Sequence, residues 1–87
     1  MHGVYVIRSR KDGQLYIGYS RDIKRRLAEH NDGRVPATVN RRPFAVLYCE
    51  LFANQKDAMQ RELYLKSGWG RKYLQRTLSN ALQNKKI

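Results

Sequence analysis

The chain has 87 residues and carries 18 Lys and Arg against 7 Asp and Glu, a formal net charge of +11. That length predicts a single domain over residues 1–87 with a thin core, and a hydrophobic content of 41% argues against disorder. The charge is a statement about partners: a polyanion, with nucleic acid first and an anionic membrane surface second. No run approaches the ~20 apolar residues of a membrane span. Arg8, Arg10 and Lys11 interrupt any signal-peptide core, so a cytoplasmic, nucleoid-associated chain is expected. The single cysteine, Cys49, excludes an internal disulfide and a Cys-based zinc cluster. Its apolar run, residues 44–49, predicts a buried and inert thiol.

Residues 3–9 are β-rich, Lys11-Asp12-Gly13 reads as a hairpin turn, and residues 14–19 read as the returning strand. Residues 21–31 predict a helix with Ser20 as its N-cap, stopped by Asn31-Asp32-Gly33. A basic loop with two prolines, residues 32–43, leads to the almost continuously apolar stretch 44–52, expected as a strand covered on both faces. Asn54 would cap a second helix over 55–67, ended by Gly68, and 69–83 predicts a third. The tail from Asn84 to Ile87 is expected to fray. The order ββαβαα predicts an α+β fold, a small, mainly antiparallel three-stranded sheet flanked by helices.

A hairpin loop with an even number of residues makes the sum of paired residue numbers odd, which puts Tyr5 and Tyr16 on the same face of the sheet, with Gly18 beside them. On the first helix, Ile23, Leu27 and His30 form an inward stripe; Arg26 falls about 60° from Ile23, bordering the sheet, and Arg25 about 160° away, in solvent. Arg26 can either snorkel along the core or present its guanidinium fork to a phosphate. His30 is either a satisfied boundary histidine or a catalytic one. On the second helix Ala58, Met59, Leu63 and Leu65 span an apolar arc of about 160° with Glu62 near its middle. A carboxylate so placed needs a cation, either an interior arginine or lysine or a divalent metal. Arg21, Lys24 and Arg25, then Arg34, Arg41 and Arg42, then Lys66, Arg71, Lys72 and Arg76 form three basic groups suited to a phosphate backbone. Trp69 could stack on a base but is expected to pack the junction of helices two and three.

Gly3-Val4-Tyr5 and Tyr16-Ile17-Gly18, with ten residues between them, resemble the paired triplets of the GIY-YIG nuclease family, with valine in place of isoleucine at position 4. Residues 22–31, 40–52 and 57–74 extend the resemblance over nearly the whole chain, toward the small stand-alone members grouped with the N-terminal domain of the repair endonuclease UvrC. The resemblance implies catalytic roles for Tyr5, Tyr16, Arg26, His30 and Glu62, structural roles for Gly3 and Gly18, and a role for Asn80 as the nearest match to an asparagine late in the domain. It implies that Gly18 lets the strand end bend toward the helix, and that Glu62 is the metal ligand for one Mg²⁺ or Mn²⁺. The implied chemistry is hydrolysis of a phosphodiester in DNA, with RNA left open. Arg26 would stabilise transition-state charge, and a tyrosine would activate water once its pKa, about 10 when free, is lowered. Which tyrosine does so is left open. Arg25, Arg34, Arg41, Arg42, Lys66, Arg71 and Lys72 are candidate DNA contacts. Repair or recombination would fit such a monomer, which has no room for a separate targeting domain and could need a protein partner for that purpose.

The rival reading is a non-catalytic, basic nucleic-acid-binding module that kept the fold. A membrane-surface protein is disfavoured because the helices read as core-facing.

Overall fold

Residues 2–9 set the layout, because alternate side chains of this strand enter two different cores. The computed structural model describes residues 1–84. Strand β1 (His2–Ser9) pairs antiparallel with β2 (Leu15–Ser20) on one side and with β3 (Phe44–Phe52) on the other, giving the order β2-β1-β3. Val4 and Val6 point to the face covered by α2 (Gln55–Lys66), α3 (Gly68–Thr77) and α4 (Ser79–Gln83), where they meet Ala58, Leu65, Leu74 and Leu78. Tyr5 and Ile7 point to the other face, where α1 (Ile23–Asn31) brings Ile23 and Leu27 against them and Phe44 closes the end. The α+β class and the three-stranded antiparallel sheet are as expected.

The central strand is β1, not the longer apolar run of β3. Val4, Val6 and Ile7 have no exposed surface, whereas β3 lies at an edge, with a bulge opposite Val6 and Ile7. Leu51 on β3 is exposed, and so is Cys49, which corrects the expectation of a buried thiol. Cys49 pairs with Tyr5 at the sheet edge, and Ile23 and Leu27 of α1 join the cluster of Phe44 and Val46 instead.

The cap of α1 is Asp22 rather than Ser20: its carboxylate accepts from Arg25 N–H at 3.0 Å, while Ser20 Oγ accepts from Asp22 N–H one step earlier. Asn54 caps α2 as expected, accepting from Lys56 N–H at 2.8 Å. The expected third helix divides at Leu78, whose backbone (φ −106°, ψ 24°) leaves the helical region and keeps its side chain buried. Ala81 and Leu82 on α4 then turn back onto the core. Of the tail expected to fray, Asn84 is held, its carbonyl accepting from Arg8 Nη1 at 3.2 Å and its N–H donating to Ala81 O at 3.1 Å, and residues 85–87 lie outside the described residues.

The hairpin tip is tied to the basic loop. Asp12 and Arg41 form an ion pair at 2.9 Å, and this guanidinium is the main cause of the Asp12 carboxyl falling to about 2. Arg41 also lies over the Phe44 ring. Among the described residues no helix is long and apolar enough to cross a membrane.

Candidate active site

Tyr5 is the buried centre of the α1 face, 2% exposed, and its cross-strand partner is Gly18. A β-carbon at position 18 would lie 2.3 Å from Tyr5 Oη and 2.4 Å from Cζ. The glycine therefore gives the tyrosine ring its place. Gly3 does the same for α1: a β-carbon there would meet Ile23 Cδ1 at 2.6 Å.

His30 completes the expected inward stripe and is fully buried. Nε2 lies 2.8 Å from Tyr5 Oη and Nδ1 lies 2.7 Å from Thr38 Oγ1. Thr38 directs its hydroxyl toward Val35 O, so Oγ1 accepts from His30 Nδ1–H. Nε2 is then the lone-pair nitrogen. The Tyr5 hydroxyl therefore donates to Nε2, and the Arg26 guanidinium is near enough to act electrostatically on the phenol. With this order of donors the protons of Tyr5, His30 and Thr38 each have an acceptor. Burial, then the nearby Arg26, pushes the His30 pKa below its ordinary value; Glu29 opposes them without prevailing. Burial also raises the Tyr5 pKa, with Arg26 pulling it partly back. The expected lowering of a tyrosine pKa is therefore not a resting property of Tyr5.

Tyr16 stands on the same face, as the pairing parity required, and its ring meets that of His30 edge-on with centroids 5.1 Å apart. Arg26 borders the sheet and is held by Glu29 at 3.1 Å one turn on; Arg25 projects into solvent. Half of the expected apolar arc on α2 is not an arc at all. Ala58 and Leu65 are buried, but Met59 and Leu63 are exposed, so Glu62 lies at the boundary of the buried face and not at its middle. Its side chain is nonetheless only 14% exposed, and Oε2 binds Lys66 Nζ at 3.0 Å. Its charge acts on Tyr5, raising the phenol pKa, so the carboxylate and the tyrosine share one electrostatic environment.

Among the described residues no three His, Cys, Asp or Glu side chains converge as a metal cage. A single shielded carboxylate fits a hard divalent ion that keeps most of its shell as water and phosphate oxygen, such as Mg²⁺ or Mn²⁺. Lys66 must share or yield that carboxylate.

Arg34, Arg42, Arg71 and Lys72 are exposed and available to a phosphate backbone, as is the half-exposed Lys66. Arg41 is turned inward onto Asp12 and Phe44, which argues against its expected role as a DNA contact. Asn80 is exposed on α4, in the layer against Val4 and Val6, and is not brought together with Tyr5. Trp69 does not pack the helix junction. It is 75% exposed with Lys72 Nζ 5.4 Å from its ring, and the close approach of α3 to α2 is made by Gly70.

Two features escaped the sequence reading. Thr38 lies in a loop whose composition announced only charge. The interior arginine is Arg61, paired in bidentate fashion with Glu50 at 2.8 and 3.0 Å and sandwiched by Tyr64 and Tyr73. Tyr48 donates to the same carboxylate. The alternation of Tyr48 and Glu50 on one strand was the available signal, but it needs the facing helix to acquire meaning.

The GIY-YIG catalytic domain family matches residues 1–75. A UPF0213 protein of Staphylococcus saprophyticus is 39% identical over 76% of this chain and 80% of its own length. Another, of Bacillus pumilus, is 43% identical over 82% of this chain and 71% of its own. The solution NMR structure of a UPF0213 protein from Bacillus halodurans covers 84% of this chain and 80% of its own, at 33% identity and a TM-score of 0.52. The fold is a nuclease fold, and the chain belongs to the GIY-YIG family.

Proposed function

We propose that the protein is a divalent-metal-dependent endonuclease that hydrolyses phosphodiester bonds in DNA. The observation that supports this most is the buried hydrogen-bonded chain Tyr5–His30–Thr38, with the charges of Arg26 and Glu62 acting on its tyrosine. A buried polar series whose members are hydrogen-bonded holds the phenol and the imidazole in one fixed arrangement.

Tyr5 is the general base of this reading. As its oxygen takes a proton from the attacking water, its own proton passes to His30 Nε2, which the depressed pKa keeps unprotonated near neutral pH. Thr38 holds the imidazole in the receiving tautomer. Arg26 offers its guanidinium, steadied by Glu29, to the phosphoryl oxygens as their charge grows. Tyr16 walls the site beside His30. Glu62 would hold one Mg²⁺ or Mn²⁺, which when bound polarises the scissile phosphate and supports the leaving oxygen. The exposed basic residues supply non-specific phosphate contacts.

One observation favours the rival, a binding module without chemistry: Lys66 already neutralises Glu62. Nicking of supercoiled plasmid in Mg²⁺ or Mn²⁺ separates the two. Nicking by the wild type that is lost in Glu62→Ala and Arg26→Ala supports the nuclease. Nicking that survives both substitutions removes those roles, and binding without nicking in either metal favours the module.

A further inference from the structure

A cleft of about 390 Å³ runs along the free edge of β2, between the hairpin tip and α3. Its floor is the apolar core under Leu74, and its walls carry two amides, Gln14 and Gln75, and two cations, Lys66 and Arg71. Among the described residues no acidic side chain lines it. The cleft opens on the α2–α3 side of the sheet, and two of its lining residues connect it around the β2 edge to the candidate active site: Tyr16, whose ring meets His30 on the other side, and Lys66, which is paired with Glu62.

We propose that this cleft binds one unstacked nucleotide of the DNA substrate, next to the phosphate that is cut. The volume suits a single nucleotide rather than a base pair. An apolar floor with amides at its rim is the chemistry that holds a base by its faces and edges, and the exposed Arg71, with Lys66 once it yields Glu62, suits its phosphate. The preferred substrate is then DNA carrying a nucleotide already out of the stack, at a bulge, flap or junction, because such a base need not be unpaired first. As a statement about substrate choice the proposal rests on the nuclease reading. As a statement about binding it does not.

The test uses the whole chain in two arms. In metal-free NMR titrations, deoxyadenosine 5′-monophosphate is expected to shift the amide signals of Gly13, Gln14, Ile17 and Gln75, and inorganic phosphate to leave those of Gln14 and Gln75 in place. The same shifts with inorganic phosphate, no shifts in the cleft, or an extended peptide producing them where the nucleotide does not, would each overturn the assignment. In the cleavage arm, a duplex with a one-adenine bulge should be cut faster than its fully paired counterpart. Gln75→Ala should slow the bulged substrate about tenfold, the usual effect of losing one good amide-to-base contact, and leave the paired one unchanged. Equal loss on both substrates, or on neither, rejects the substrate preference. Cleft shifts with no cleavage of any DNA in either metal would sink the nuclease reading while leaving the nucleotide site standing.

Discussion

The Tyr5 ring lies in the space where any residue but glycine at position 18 would carry its side chain, with 2.3 Å between an added β-carbon and the phenolic oxygen. One methyl group there must therefore displace the proposed base from His30. Gly18→Ala should cost about 1–3 kcal/mol, as overpacking of a buried site does. It should lower nicking far more than the lost stability explains. Gly13→Ala is the control. Its φ of 74° makes alanine strained, but nothing lies within 4 Å of the added carbon, so it should lose stability and keep activity per folded molecule on fully paired DNA, which does not use the cleft that Gly13 borders. Thermal melts paired with nicking rates decide the matter, and equal activity in the two variants would detach Gly18 from the site.

His30 predicts a pH dependence with a definite sign. Burial and Arg26 set its folded pKa below the ordinary value near 6.5, so the unfolded chain takes up a proton before the folded one does. The stability linked to His30 is complete above about pH 6.5 and declines as pH falls from there toward the folded pKa, with a slope of at most about 1.4 kcal/mol per unit. Urea midpoints across this range should show the decline in the wild type and lose that component in His30→Gln. A folded pKa at or above 6.5 from imidazole ¹⁵N shifts would reverse the argument. Thr38→Val should leave Nδ1–H without an acceptor at a cost of about 1–3 kcal/mol and mix the tautomers in the same spectra, whereas Thr38→Ser should preserve them.

The ammonium of Lys66 occupies the same carboxylate that the proposed metal needs. In the absence of DNA, Lys66→Ala should bind Mn²⁺ severalfold more tightly than the wild type, and Glu62→Gln should bind it more weakly than either, as read by electron paramagnetic resonance. Stability should change little in the lysine variant, because a half-exposed i,i+4 pair contributes about 0.3–0.5 kcal/mol. Unchanged Mn²⁺ affinity in both variants would mean that Glu62 is not the ligand.

What the sequence made legible followed from local rules. Strand alternation put Tyr5 and Tyr16 on one face, and helical spacing separated Arg26 from Arg25 and turned His30 inward. What stayed hidden depended on neighbours distant in the chain. The place of β3 at the sheet edge, and with it the exposure of Cys49, is a matter of strand order, which hydrophobicity does not encode. Thr38 acquires its role only when the loop folds back on α1, eight residues from its partner His30. The exposure of Met59 and Leu63 arises because Arg61, not an apolar residue, takes the inner flank of α2 against Glu50.

That pair separates architecture from chemistry. Glu50 is pushed up by burial but pulled lower by the hydrogen bonds of Arg61 and Tyr48, and the net result is a carboxyl below its ordinary range. A carboxyl shifted in that direction stabilises the fold above its unfolded pKa and loses the contribution as pH falls through the folded one. The acid limb of stability below about pH 4.5 should therefore flatten in Glu50→Gln. Arg61→Ala leaves a partly buried carboxylate and two tyrosine faces without their cation. It should cost about 2 kcal/mol, less than a fully buried pair because both side chains keep some solvent contact. The double variant Arg61→Leu with Glu50→Leu should recover part of that loss, since no lone charge remains. The network lies on the helical face of the sheet, opposite Tyr5 and His30. Nicking per folded molecule should therefore be unchanged in all three variants, and a selective loss of activity would show that α2 transmits the state of Glu50 to Glu62.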